Sequence, residues 1–228
     1  MALYDRDYTT AEAGYVQEGA SVQFMKTTYQ LLAASMIAAA AGAYATMPYA
    51  EMIMQYKWFI FGAELLILFF GLRMTKGKPG LNLAMLFTFT FLTGVSLVPL
   101  LASLIGMGQG AMIGNAFLMT SVLFGALSLF AINSKSDFSS WGKPLFITLI
   151  VVIIASLVNY FLLQSPIMHI VITAGILLLF SIFTIYDTQN IANGAYDSPV
   201  DAAVSLYIDF LNMFTAMLQL LGIFGGDD

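Results

Sequence analysis

Seven long apolar stretches divide this chain, and they constrain its fold more than any other feature. A helix needs about 20 apolar residues to cross a hydrocarbon core of roughly 30 Å, and each stretch meets that length. The runs are too long and too continuously apolar for the strands of a membrane barrel, and a lone strand cannot satisfy its backbone in lipid. The predicted membrane-spanning helices are residues 27–47, 56–75, 80–104, 109–132, 144–164, 167–191 and 201–224.

The composition excludes a soluble domain. Hydrophobic residues make up 60% of the 228-residue chain, and charged residues make up 9%. That is about a third of the charged share of an ordinary soluble domain. We therefore predict an all-α membrane protein whose seven transmembrane helices form one compact bundle in the lipid bilayer.

The same composition excludes several kinds of site. The chain has no cysteine, so it carries no disulfide, thiolate metal site or thiol nucleophile. Its formal net charge is -5, and it lacks the clustered basic face with which proteins bind phosphates, so no nucleic acid partner is expected.

Lysine and arginine residues predict the orientation of the chain. Residues 1–26 form a polar tail without the apolar region of a signal peptide, and residues 27–228 form the membrane domain. Seven of the eight lysine and arginine residues fall on the side of this tail, and Lys57 falls on the other. The positive-inside rule then gives a multi-pass protein of the cell (inner or plasma) membrane, with the N terminus in the cytoplasm and the C terminus outside.

Small residues indicate where helices approach each other closely. Ala38 to Ala41 and Gly42 lie in the first predicted span, and Gly110 and Gly114 begin the fourth. Small side chains at such spacing are typical of tight packing between membrane helices.

Two aspartates, Asp187 and Asp209, lie inside the last two predicted spans. The midpoint between them is Ser198, beside Pro199, so an antiparallel hairpin that turns there would bring both carboxyl groups to the same depth. At 1.5 Å per residue, that depth is roughly 7 to 12 Å from the cytoplasmic boundary. Two carboxylates about 4 Å apart repel each other by roughly 4 kcal/mol at an effective dielectric near 20. We therefore expect one proton to be shared by the two carboxyl groups.

An aspartate pair in a membrane has two uses, a proton-sensitive latch on a cation path or the acid and base of an intramembrane protease. Tyr186 and Asp187 are similar to the first motif of presenilin-type proteases. Their second motif is Gly-x-Gly-Asp, whereas Leu206, Tyr207 and Ile208 precede Asp209 here. The latch is therefore favoured, and we do not expect an enzyme.

Two further charged residues lie inside the predicted spans, Glu64 in the second and Arg73 near its cytoplasmic end. Charged side chains in a membrane usually face the bundle interior or a water-filled path. Both residues are therefore candidates for a latch or an ion path. Asn212, a polar residue of the last span, is a third.

The residues around the two aspartates resemble the transmembrane Bax inhibitor-motif family (Bax inhibitor-1 family), in the form of its bacterial members. The likeness is densest over the last two spans. It rests on Tyr186-Asp187-Thr188-Gln189-Asn190-Ile191, on Asp201-Ala202-Ala203, on Ser205-Leu206-Tyr207-Ile208-Asp209-Phe210-Leu211-Asn212, and on residues 218–222.

The resemblance implies a seven-helix bundle with helix 7 at its centre and a pH-dependent calcium leak. Asp187 and Asp209 match the residues that act as pH sensor and gate. Calcium prefers oxygen ligands, so the same two residues are the candidate metal ligands, holding the permeant ion transiently. Protons are the second ion implied, and no cofactor is expected.

The basic partner of the pair differs from the family pattern. An arginine at the cytoplasmic end of the second span can latch to the pair, but Arg73 lies about half a turn before that position, where Thr75 and Lys76 occur. Glu64 matches a glutamate that pairs with an arginine of the last span. Gln219 stands in place of that arginine, so this second pair is missing.

A second function remains open on the same resemblance. Members of the family also bind membrane-anchored proteases or other membrane proteins. The chain could therefore be a non-conducting regulator, and its polar tail, residues 1–26, is the segment that could make such a contact.

Overall fold

The protein is described here from a computed structural model, which covers the backbone of residues 4–224 and the side chains of residues 21–223. Within those bounds the chain forms helices joined by short turns. The helices are α1 Tyr4–Thr46, α2 Ala50–Leu66, α3 Pro79–Gly106, α4 Ala111–Asn133, α5 Gly142–Val158, α6 Pro166–Ala192 and α7 Pro199–Phe224. A π-helical turn at Ile67–Gly71 and an α-helical turn at Leu72–Met74 extend α2, and a π-helical turn at Asn159–Leu163 extends α5.

Proline residues set several of the boundaries that the sequence predicts. Pro79, Pro166 and Pro199 each begin a helix, where the missing N–H of proline costs no hydrogen bond within the helix. Pro48 lies in the 3-10 turn Met47–Tyr49, which separates α1 from α2. The predicted breaks between apolar stretches therefore coincide with the ends of the observed helices.

Six helical segments within the described residues are long and apolar enough to cross a membrane. The first has 54 residues and contains the first two predicted spans. These segments confirm a multi-pass, all-α membrane protein. They are Ser21–Met74, Pro79–Gly106, Ala111–Asn133, Ser139–Leu163, Pro166–Ala192 and Pro199–Ile223.

Helix α1 runs alongside α3 in the same direction. Leu31 of α1 and Leu83, near the start of α3, line the same pocket. Further along both helices, the backbone of Ala39 lies against Gly94. The two helices are therefore parallel.

Helix α2 also packs on α3, but it runs in the opposite direction. Glu64, near the end of α2, accepts a hydrogen bond from Ser96, which lies in the second half of α3. Further along the chain, in the helical turn that extends α2, the carbonyl of Leu72 accepts a hydrogen bond of 3.0 Å from Asn82, near the start of α3. The chain therefore reverses direction at Met47–Tyr49, inside the long first segment.

Helix α7 contacts α1, α3, α4 and α6, whereas α2 packs mainly on α3 and α5 mainly on α6. Ala202, Leu206, Met213 and Leu218 of α7 are completely buried. In contrast, α5 exposes a row of large apolar side chains that includes Phe146. The last helix thus supplies much of the core, and the outer helices present their apolar side chains to the surroundings.

The predicted close contact at Gly42 is confirmed, and the one at Gly114 is wrong. A Cβ atom on Gly42 would overlap the backbone of Phe91, and one on Gly94 would overlap the backbone of Ala39. A Cβ atom on Gly114 would have no atom within 4 Å. Small residues therefore allow close packing between α1 and α3, whereas Gly114 borders open space.

The polar links that follow α2, α4 and α6 lie at one end of the bundle. Lys76, in the link after α2, forms an ion pair of 2.9 Å with Asp201, at the start of α7. The side chain of Gln189, near the end of α6, donates to the carbonyl of Ser136 at 2.8 Å and accepts from the N–H of Phe138 at 2.6 Å. The lysines of these links therefore share one end of the molecule, as the sequence predicts.

Replacing Gly94 with alanine should destabilise the bundle, because the added Cβ meets the backbone of Ala39 and must separate α1 from α3. Overpacking of this kind costs about 1–3 kcal/mol. The measurement is thermal unfolding in detergent, followed by helical circular dichroism. Gly62→Ala on α2 is the matched control, since its Cβ has no atom within 4 Å. Equal unfolding temperatures for the two variants would contradict the close contact.

Candidate functional site

Helix α6 ends in a capping motif that turns the chain back toward α7. Gly194 adopts a φ of 72°, and its N–H donates to the carbonyl of Ile191 at 3.1 Å. The N–H of Ala195 donates to the carbonyl of Asn190 at 2.9 Å. This is the Schellman pattern, which favours glycine because the left-handed conformation strains other residues.

The start of α7 is fixed just after that turn. Pro199 is the first helical residue, and the side chain of Ser198 accepts a hydrogen bond of 3.1 Å from the N–H of Asp201. A serine before the first turn satisfies backbone donors that have no partner within the helix. The link between α6 and α7 is therefore short, and the hairpin turns where the spacing of the aspartates predicts.

The hairpin brings Asp187 and Asp209 together, as predicted. Asp187 is 8% exposed and Asp209 is 2% exposed. Their carboxyl groups are immediate neighbours and interact directly. The Oδ2 atom of Asp209 is buried and has no hydrogen-bond partner among the described residues. Two acids thus share one enclosed site.

Tyr196, in the link between α6 and α7, contacts the aspartate pair. Its hydroxyl donates to Oδ1 of Asp187 at 3.0 Å. Burial, and then the charge of Asp187, raises the pKa of Tyr196 above its ordinary value, so the hydroxyl remains a hydrogen-bond donor. Sequence reasoning missed this residue, because a tyrosine in a short polar link carries no periodic or motif signal.

Lys76 binds the start of α7 in this region, and sequence reasoning placed it only at the expected latch position. Lys76 pairs with Asp201 at 2.9 Å and with Asp197 at 3.7 Å. The hydrogen bond to Asp201 and the charge of that carboxylate raise the pKa of Lys76. The ion pair ties the link after α2 to the start of α7 and does not involve the aspartate pair.

The structure does not bring Arg73 to the aspartate pair. Its side chain is exposed, and among the side chains of residues 21–223 it forms no ion pair. The basic residue that ties the end of α2 to the start of α7 is instead Lys76, about one turn further along the chain, through Asp201.

Glu64 lies in a separate polar contact. It is 8% exposed and accepts a hydrogen bond from Ser96 of α3. Gln219, which stands where the family arginine would be, accepts a hydrogen bond of 3.5 Å from Thr173 of α6. Each residue therefore has its own partner on a different helix, and Glu64 belongs to the contact between α2 and α3.

Asn212 is not joined to the aspartate pair either. Its side-chain amide donates to the carbonyl of Ile208, one turn earlier in α7, at 2.8 Å. This hydrogen bond lies within α7 and does not test the predicted role of Asn212 on an ion path.

A second buried polar contact joins α7 to α3. The hydroxyl of Tyr207 forms a hydrogen bond with the side chain of Thr93, whose own hydroxyl also lies 2.8 Å from the carbonyl of Thr90. Tyr207 is two residues from Asp209, and side chains two apart lie on different sides of a helix. Helix α7 is therefore held by polar contacts on two sides.

The charged residues do not form a permanent metal centre in residues 21–223. No group of three or more histidine, aspartate or glutamate side chains there is placed to hold a metal ion. Calcium takes six to eight oxygen ligands, and the pair offers two carboxylates. A calcium ion at the pair would keep much of its water, which suits an ion in transit better than a resident one.

Comparison with known proteins agrees with the motif around the two aspartates. A protein of Helicobacter pylori strain J99 is 48% identical over 100% of both chains. The inner membrane protein YbhL of Escherichia coli K12 is 30% identical, over 75% of this chain and 78% of YbhL. YccA of Escherichia coli K12, a modulator of the FtsH protease, is 32% identical, over 67% of this chain and 69% of YccA.

The family described as "Inhibitor of apoptosis-promoting Bax1" matches residues 21–226, which is nearly the whole chain and includes both aspartates. The protein therefore belongs to the Bax inhibitor family of membrane proteins.

Proposed function

We propose that this protein is a pH-sensitive calcium leak of the inner membrane, gated by Asp187 and Asp209. The observation that carries the proposal is the direct contact of two buried carboxyl groups inside a membrane hairpin, one oxygen of which has no partner. Such a pair is costly in a membrane unless it has a use. The proposal involves no catalytic reaction and no cofactor.

The proposed topology has seven spans, with the last at the centre. Its support is the reversal of the chain at Met47–Tyr49, which divides the 54-residue segment into two antiparallel halves, and the contacts of α7 with four other helices. The lysine-bearing links lie at one end, so the positive-inside rule places that end and the N terminus in the cytoplasm. YbhL, a relative, is an inner membrane protein.

In the closed state, one proton is shared between Asp187 and Asp209. The shared proton removes most of the repulsion between the carboxyl groups and adds a hydrogen bond across the hairpin. Tyr196 donates to Asp187 from the link between the helices, so it contacts the pair on the proposed cytoplasmic side. The hairpin is then held together where an ion would have to pass.

Raising the pH removes the shared proton and opens the path. Two neighbouring carboxylates in a low-dielectric interior repel each other, which separates α6 from α7 at their cytoplasmic ends. The same change creates an anionic site that attracts calcium, because carboxylate oxygens are its preferred ligands. Lys76 limits this movement, since it ties the start of α7 to the link after α2.

Calcium flux into proteoliposomes should rise with pH in the wild type, because flux follows the deprotonated fraction of the pair. For one proton, that fraction changes about tenfold per pH unit below the midpoint. Asp209→Asn should remove the pH response of the wild type, since the one remaining carboxyl group has no second acid with which to share a proton or to repel on ionising. The measurement is the initial rate of calcium entry, followed with an indicator inside the vesicles, across a pH series.

The matched control for this experiment is Asp137→Asn, which neutralises an exposed acid of the link after α4. It should keep the pH response of the wild type. A flux that does not depend on pH, or that responds equally in wild type and Asp209→Asn, would overturn the leak mechanism.

A second candidate function is regulation of a membrane protease. The observation that favours it is the 32% identity to YccA, a modulator of the FtsH protease. In this case the protein binds such a protease and conducts nothing of consequence. The polar N-terminal tail is the proposed contact, because it lies outside the membrane domain.

Deletion of residues 1–20 separates the two functions. If the tail contacts the protease, purified FtsH of Escherichia coli should bind the full chain in mild detergent and lose most of that binding with the shortened chain. The leak should survive the same deletion, because the aspartate pair lies in α6 and α7.

Asp209→Asn is the reciprocal variant for this experiment. It should keep FtsH binding and lose the pH response. Equal binding of FtsH to the full and shortened chains, or no binding to either, would contradict the tail-mediated contact.

A further inference from the structure

A cavity of about 430 Å³ lies between α1, α3, α4 and α7, away from the aspartate pair. Tyr207, Phe210 and Phe214 of α7 form its floor, and Ala39 and Ala43 of α1 form one wall. All three floor residues are less than a tenth exposed. The cavity is therefore a deep site with an almost entirely apolar lining.

Exposed aromatic residues of apolar segments border the mouth of the cavity. Tyr44 of α1 and Phe117 of α4 border it, and they are 86% and 47% exposed. Both residues lie within apolar segments long enough to cross a membrane. The proposed topology places these segments in the membrane, where hydrocarbon surrounds them, so the molecules that can enter sideways are lipids.

The length of the cavity matches one leaflet of the bilayer. Its lining runs along α1 from Met36 to Met47, and eleven residues of helix rise by about 16 Å. Half of a hydrocarbon core of roughly 30 Å is about 15 Å. Met47 begins the turn after α1, so the cavity extends from one membrane boundary to near the midplane.

We propose that this cavity binds one acyl chain of a membrane phospholipid. The phospholipid belongs to the leaflet at the Met47 end, opposite the end that carries Lys76. Its head group stays at the boundary, and the chain enters between α1 and α4 to lie against α7. An empty apolar cavity forfeits the dispersion contacts of its lining, and an acyl chain from the surrounding lipid restores them.

A larger side chain at position 114 can test this site, because it would fill part of the cavity. Gly114 lies in the cavity lining, and a Cβ atom built on it has no atom within 4 Å. A leucine side chain at this position can therefore extend into the space that the acyl chain would occupy without a clash with the protein. Gly125 on the same helix also has open space around it and is not part of the lining.

The experiment uses the full chain in proteoliposomes that contain phosphatidylcholine with a photoreactive diazirine in one acyl chain. After irradiation, mass spectrometry maps the adducts. The proposal predicts adducts on Phe214, which is 8% exposed, in addition to adducts on Leu118, which is 64% exposed and reports ordinary contact with lipid. In Gly114→Leu, the ratio of Phe214 to Leu118 adducts should fall by roughly tenfold, since the leucine and the acyl chain cannot share the space without overpacking.

Gly125→Leu is the matched control and should keep the adduct ratio of the wild type. Adducts confined to exposed residues such as Leu118 would overturn the proposal. An equal ratio in wild type and Gly114→Leu would overturn it as well.

Discussion

The direct contact between the carboxyl groups of Asp187 and Asp209 is the interaction on which the rest of this structure depends. Carboxyl groups are costly inside a membrane, and the cost falls when they lie in the interior of a bundle and share a proton. Burial of Asp209 to 2% exposure requires α7 to have helices on several sides. The short link after α6 holds the two acids at one depth. The position of α7 and the form of the hairpin therefore follow from the same requirement.

Helix α7 connects three features of the protein. Asp209 contacts α6 on one side, and Tyr207 forms a hydrogen bond with Thr93 of α3 on another. Tyr207 and Phe210, on either side of Asp209 in the sequence, line the apolar cavity that opens to the lipid. A displacement of α7 would change all three contacts together. Helix α7 therefore contributes to the aspartate pair, to the contact with α3 and to the cavity, although the acids do not line the cavity.

Much of this arrangement could be predicted from the sequence, because it depends on local signals. Proline residues mark the helix boundaries, and the equal distances of Asp187 and Asp209 from Ser198 predict their contact. The sequence did not predict the observed contacts of Tyr196, Lys76 and Gln189. These contacts depend on how the links lie over other helices, and the periodicity of the sequence carries no information on the path of a link. Gly114 shows a further limit. A small residue in a membrane helix can indicate tight packing or open space, and the neighbouring helix decides which.

The central claim is that Asp187 and Asp209 share one proton and that its loss opens the path. Infrared spectroscopy of the protein in lipid, with isotope-labelled aspartate, measures this directly, because protonated and ionised carboxyl groups absorb at different frequencies. The account predicts a band for one protonated aspartate per chain, which disappears over the same pH range in which calcium flux rises and which changes in frequency and midpoint in Asp187→Asn. The absence of a protonated aspartate at low flux, or a band that persists unchanged while the flux rises, would contradict the account.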